Sequence, residues 1–316
     1  MYIPFMPKIL KGELRMMSDF MKRMDTIFYQ QSFDAVSEFF SSFSSETEII
    51  EWMRKRKKQD PVISEAEGED DIIAVIPGNN HTEMMGSTSN KDLFTGFRKI
   101  YSGTGSGRPN FPICVNEGIK RALKYEPEWI VISSPNTNVY GKSLDLRNAV
   151  KLASYEDNRI LIPGPSPVKS RYMRIGKRNV LSGKLNINRL EKWAYGIEEN
   201  LSSRFGDIYI AEPMDILHRA MQRWTFSVPN ISSFIVLSGK WLKSIDGHVM
   251  DETFTSAYCG VDFSIRHTRR SGGINFINLP YRVRKQRTPR LSLPFEHVWD
   301  LCNRIYLTHK INNSYY

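Results

Sequence analysis

The residues best suited to chemistry follow two apolar runs. Ile72-Ile73-Ala74-Val75-Ile76 stops at Pro77-Gly78-Asn79-Asn80, and Trp129-Ile130-Val131-Ile132 stops at Ser133-Ser134-Pro135-Asn136-Thr137-Asn138. Both ends are rich in side-chain amides, which donate and accept hydrogen bonds at once and so suit a polar ligand. The stretch Gly103-Thr104-Gly105-Ser106-Gly107-Arg108 offers backbone N–H groups to a phosphate, with Arg108 as a contact. It lacks the Gly-Lys-Ser/Thr ending of a P-loop and reads as a loop. Its Gly-x-Ser-x-Gly letters precede a proline rather than a helix, so they do not make a nucleophile elbow. The six histidines never fall at metal-binding spacing, and Cys114, Cys259 and Cys302 are too widely spaced for a zinc site or a disulfide scaffold. That cysteine usage predicts a reducing, cytoplasmic setting, in keeping with an N-terminus that has no leader pattern and a chain without a ~20-residue apolar span.

Strands and helices must hold those turns in place. Runs of β-branched and apolar residues stopped by turn residues predict strands at 72–76, 129–132, 159–162, 208–210, 232–238 and 274–279. Helical spacing predicts helices over much of 8–58 and near 116–125, 144–154 and 261–271. Ser45 with Glu48 resembles a capping box, and Glu65–Asp71 reads as an acidic, Gly-containing linker. Strands alternating with helices predict an α/β domain with a mainly parallel sheet, whose ligands bind beyond the carboxyl ends of the strands. The chain divides into a helical extension and linker at 1–68, the α/β domain at 69–281, and a basic, amphipathic C-terminal segment at 282–316.

Charge narrows the partners. Lys and Arg number 44 against 34 Asp and Glu, a net charge of +10. Residues 169–192 hold eight basic side chains and one acid, Glu191, and a second basic run spans Arg282–Arg290. Both zones suit an anionic partner. Few aromatic residues interleave them, which ranks nucleic acid behind a small phosphorylated molecule. The apolar residues Phe295, Val298, Trp299, Leu301, Ile305, Tyr306 and Leu307 after the arginine run would suit peripheral contact with an anionic membrane, or a helix packed on the domain.

The order of motifs resembles the family 2 glycosyltransferases of the GT-A fold. Asp71–Asn80 resembles their opening strand and base-contacting loop. Ile113-Cys114-Val115-Asn116-Glu117-Gly118-Ile119 resembles their Asn-x-Gly-Ile helix, and Trp129–Asn138 the strand that delivers an acidic metal motif. Ser232–Gly247, Asp251-Glu252-Thr253-Phe254, Cys259-Gly260-Val261-Asp262-Phe263-Ser264-Ile265-Arg266 and Ser271-Gly272-Gly273-Ile274 follow the order of their second half. The resemblance implies a nucleotide-diphosphate-sugar donor and an acceptor that is a glycan, a protein or a lipid-linked sugar. It implies Pro77 and Asn79 at the base, and Asn116, Asn136, Asn138 and Arg266 around the rest of the donor. Asp262, Glu252 or Asp251 would be the catalytic carboxylate that deprotonates the acceptor hydroxyl.

The chain departs from the family at two places. Ser134-Pro135-Asn136 stands where an Asn-Pro-Asp or Asp-x-Asp is usual, which leaves Asn136 and Asn138 as weak amide ligands for Mg²⁺ or Mn²⁺. Cys259-Gly260 stands where the family has Glu-Asp, so Gly260 takes the usual base position. Those departures make a GT-A-like nucleotide- or sugar-binding protein with little catalysis the alternative reading.

Overall fold

The computed structural model describes residues 8–28, 38–78, 90–104, 110–135, 137–154, 159–163, 169–174, 209–213, 224–229, 234–255, 258–270, 275–277, 279, 281–283, 302–303, 305–307, 309–310 and 313. The predicted sites Asn79, Asn136 and Arg108, and most of the 169–192 and 282–290 basic zones, lie outside these residues.

Helix α1 spans Lys8–Phe28 and α2 spans Glu46–Lys55. The predicted cap is present at α2. Ser45 sits in extended backbone and its hydroxyl accepts from the Glu48 N–H at 3.3 Å. The Glu48 carboxylate reaches back to the Ser44 N–H at 2.7 Å, one residue earlier than in a reciprocal capping box. The two helices meet through aromatic contacts, including Phe28 against Trp52 at 4.7 Å between ring centroids.

The predicted linker is instead two strands, β1 (Val62–Ala66) and the start of β2 (Glu69–Gly78). Its acids read as a solvated linker because their cations come from elsewhere in the chain. Glu65 pairs with Arg98 and Arg121, Asp70 with Arg98, and Glu69 and Asp71 with Arg147.

Beyond β2 the order is β3 (Phe97–Gly103), α3 (Phe111–Ala122), β4 (Trp129–Ser133), β5 (Thr137–Val139), α4 (Ser143–Ser154), β6 (Ile160–Pro163), β7 (Lys169–Arg174), β8 (Tyr209–Pro213), β9 (Trp224–Pro229), β10 (Phe234–Ser238), α5 (Gly239–Ser244), α6 (Cys259–Arg270), β11 (Asn275–Ile277) and β12 (Tyr281–Val283). One seven-stranded sheet runs β1-β3-β2-β4-β10-β6-β11. β2, β3, β4, β6 and β11 run the same way, while β1 at one edge and β10 in the interior run against them. The fold is therefore α/β, with an open sheet of mostly parallel strands. β7, β8 and β9 form a separate antiparallel sheet, and β5 pairs with β12.

The sheet is covered on both faces. On one, α3 lays Val115 and Ile119 against Val75 and Ile100, and α4 lays Leu146, Val150 and Ala153 against Trp129, Val131 and Leu161 on the other. The first core continues without a break into Phe28, Phe39, Ile49, Trp52 and Met53 of the N-terminal region and into Cys302, Ile305, Tyr306 and Leu307. The last three, read from sequence as a membrane face or a packed helix, are buried in that core. Among the described residues, no helix is long and apolar enough to cross a membrane.

The helix–sheet contact leaves a testable mark at Gly118, where a Cβ would stand 2.5 Å from Val75 Cγ1. Gly118→Ala should destabilise the protein by about 1–3 kcal/mol, because β2 and α3 cannot both keep their places. Urea unfolding with an unchanged m-value would measure it, and no loss of midpoint would contradict this packing.

Candidate functional site

The strand order reverses at β2. Its successor β3 lies on one side, and β4 lies on the other side after crossing through α3. The β2–β3 connection packs Leu93 and Phe94 on the face opposite α3, so the connections that follow β2 and β3 lie on opposite faces of the sheet. Such a reversal opens a crevice beyond the carboxyl ends of the two strands. Here the rim is Gly78 and Ser133, with Gly103 level with Gly78 in the ladder. Small residues at strand ends leave room for a ligand to approach the backbone.

Of the residues predicted at these strand ends, Pro77 and Asn138 are described, and they differ in what they offer. Pro77 is buried within β2, opposite Ser102, and presents ring carbons rather than a polar group. Asn138 is partly exposed on β5, opposite Arg282 of β12. The Cys114 thiol lies 3.6 Å from Gly78 O, and burial pushes it up to about 12, too high for a nucleophilic thiolate at neutral pH. Cys259 is pushed to about 12 by burial and by the Asp262 charge, and all three cysteines are buried and outside any disulfide.

The predicted carboxylates form a second cluster, against α3 and α6. Residues 249–255 run along α3, with the Phe111 N–H donating to Thr255 O at 3.1 Å. Asn116, predicted at the donor, instead holds this segment. Its Oδ1 accepts from the Val249 and Met250 N–H groups at 3.1 and 2.9 Å, while Nδ2 donates to Met250 O at 2.9 Å and Glu252 Oε1 at 3.0 Å. Those four bonds use the full capacity of an amide, and the residue is wholly buried, so Asn116 is corrected from a ligand contact to a structural pin.

Asp262 is corrected for a similar reason. Its side chain has no exposure, and its carboxylate is bound by Arg266 Nε at 2.9 Å and by Lys310 Nζ. It lies in the first turn of α6, where the helix dipole also favours a negative charge. Arg266, predicted near the donor, spends its second contact on Val249 O at 2.8 Å. Lys310 Nζ bonds Asp251 Oδ2 as well, at 3.0 Å, and Tyr306 donates to that same oxygen at 2.9 Å. Burial raises the Asp251 carboxyl, but the Lys310 charge, the Thr253 N–H and the bonds from Lys310 and Tyr306 outweigh it and hold the group below its usual range.

Glu252 follows the same pattern. Burial raises it, while the Asn116 amide and Lys58, whose Nζ is 3.2 Å away, lower it further. Lys58 belongs to the basic run after α2, and Arg56 of the same run is buried, donating to Phe254 O at 3.3 Å. The run thus anchors the N-terminal region to the acidic segment. His267 adds no charge here: burial, with Arg266 alongside, pushes it down to about 4, and it packs between Trp241 and Phe263.

Sequence reading missed Lys310, Tyr306, Lys58 and Asn90. Each lies far along the chain from its partner, 48 to 194 residues apart at Lys310–Asp262 and Lys58–Glu252, and no local pattern links them. Asn90 alone had a nearby sign, an amide closing the stretch that follows Asn79-Asn80.

No cluster of three or more His, Cys, Asp or Glu side chains able to hold a metal ion occurs among the described residues, and Asn138 supplies only an amide oxygen. The described rim does not fit a divalent cation, which prefers anionic oxygen donors. No protein-family model matches the chain, and no curated protein matches it significantly.

Proposed function

We propose that this chain binds a nucleotide-diphosphate sugar in the crevice between the carboxyl ends of β2 and β4 and transfers the sugar to an acceptor. The observation that supports this most is the reversal of strand order at β2, because ligands of open α/β sheets bind beyond the carboxyl ends of the strands at such a reversal. In the transfer, the bond between the anomeric carbon and the diphosphate oxygen breaks and the diphosphate leaves with the electron pair. The acceptor oxygen bonds to that carbon, and its proton passes to a base.

Asp262 is too buried to be that base, whereas Asp251 and Glu252 each keep 22% side-chain exposure. Both are ion-paired and depressed, which makes them weak proton acceptors. This pairing favours a second reading, in which the crevice binds the nucleotide sugar with little or no turnover.

Calorimetric titration with UDP, GDP, CDP and ADP, with and without Mn²⁺, tests the crevice. At least one should bind and raise stability by about 2.7 kcal/mol at a hundredfold excess over its Kd. Incubation with the matching nucleotide sugars then separates the readings, since release of nucleoside diphosphate marks transfer and binding without release marks the second. Folded protein that binds none of the four would sink both. Duplex DNA binding that weakens steeply with salt would put a nucleic acid in their place.

A further inference from the structure

We propose that Asn90 is a positioning residue of this crevice, tying the turn before β3 to the exit of β4 so that Ser133, Thr137 and Val139 are held in place for binding. The inference rests on the nucleotide-binding reading above. Asn90 lies in the connection between β2 and β3, at the start of the 90–96 turn that leads into β3, and its side chain reaches the exit of β4. Nδ2 donates to Ser133 Oγ and to Thr137 O, both at 2.8 Å, and Oδ1 accepts from the Val139 N–H at 2.6 Å. Its partners are 43 to 49 residues away in sequence, so the three bonds serve tertiary placement rather than a local turn.

The residue type and backbone fit this role. Asn90 has φ +62°, a left-handed conformation that asparagine adopts more readily than most side chains. Its own carbonyl accepts from the Phe94 N–H at 3.0 Å, which anchors it to the packed 90–96 turn. The side chain is 9% exposed, so water competes little for its bonds.

The turn depends on this support. Within it the Thr137 N–H donates to Ser134 O at 3.0 Å, while the wholly buried Thr137 hydroxyl finds no partner among the described residues. Its outer side pairs with β12 through Thr137, Asn138 and Val139, and its inner side is met by Asn90. A ligand that touches Ser134 or Asn138 then meets groups already in place, and loses less entropy on binding.

Two variants test this. Asn90→Gly keeps the positive φ and removes the amide, whereas Asn90→Asp keeps the shape and turns the donor toward Thr137 O into an acceptor. In Asn90→Gly, exchange of the Val139 amide should speed up at least about tenfold, while amides at 130–132 stay within about threefold. In both variants the Kd for whichever of UDP, GDP, CDP or ADP the wild type binds should rise at least about tenfold. Ile50→Val, a comparable loss in the N-terminal core, should leave that Kd within about twofold and so separates positioning from general destabilisation.

If Asn90→Gly does not fold, Asn90→Asp carries the comparison. Wild type that binds a nucleotide, with variants that bind it equally well, overturns the role of Asn90 and leaves the crevice reading intact. Wild type that binds none removes the crevice reading, and the positioning role with it. Unchanged exchange at Val139 overturns the tie itself, whatever the nucleotide does.

Discussion

Lys310→Met should lower folding stability by about 3–5 kcal/mol at pH 7, because it takes the shared cation from a wholly buried carboxylate and a partly buried one. Lys310 Nζ is the cation shared by Asp251 and Asp262, and Asp262 has no exposed surface through which water could replace it. Arg266 and Tyr306 remain, but each serves only one of the two acids. The loss should depend on pH, and the sign follows from Asp251. Its folded-state carboxyl lies below the unfolded value, so its stabilising contribution is fully present above about pH 4 and fades as pH falls through the folded value.

Without Lys310, burial acts on Asp251 with less opposition and protonation relieves the stranded charge. The deficit of the variant should therefore be largest at neutral pH and shrink on acidification toward pH 4. Denaturant unfolding of both proteins at the two pH values would measure it. Asp262→Asn in the Lys310→Met background should recover part of the loss, since one fewer carboxylate is then left without the cation. A deficit below about 1 kcal/mol, the level of an exposed pair, would show that the network is solvated.

Asn116→Ala should cost a comparable amount, about 3–5 kcal/mol, by leaving the Val249 and Met250 N–H groups and Met250 O without partners in a buried site. Asn116→Asp keeps the acceptor and loses the donor, and should fall between wild type and Ala. The informative comparison is with ligand. Asn116 is a pin for 249–252, so any nucleotide affinity measured on folded Asn116→Ala should stay within about threefold of wild type. A selective loss of nucleotide affinity at unchanged thermal stability would return Asn116 to the binding site.

These two positions show where sequence reading reached its end. The strands at β2, β4 and β10 were legible because continuous apolar runs stopped by turn residues have few other solutions. The helices were legible because a 3.6-residue period leaves one apolar stripe. That β10 runs against its neighbours was not legible, since a five-residue buried run such as Phe234–Ser238 reads the same in either direction. The strands at 62–66 and 69–71 were hidden by their acids, whose arginine partners come from β3, α3 and α4.

The candidate site divides along the same line. By itself the sequence determined that this is a layered α/β chain with amide-rich turns after its buried strands, because residue type and local period dictate those features within a few residues. The tertiary structure decided that Asn116 and Asp262 serve the fold, that Lys310 neutralises the acidic pair, and that Asn90 bonds Ser133, Thr137 and Val139. A polar side chain acquires its role from the group that meets it, and most of those groups here arrive from 43 to 194 residues away.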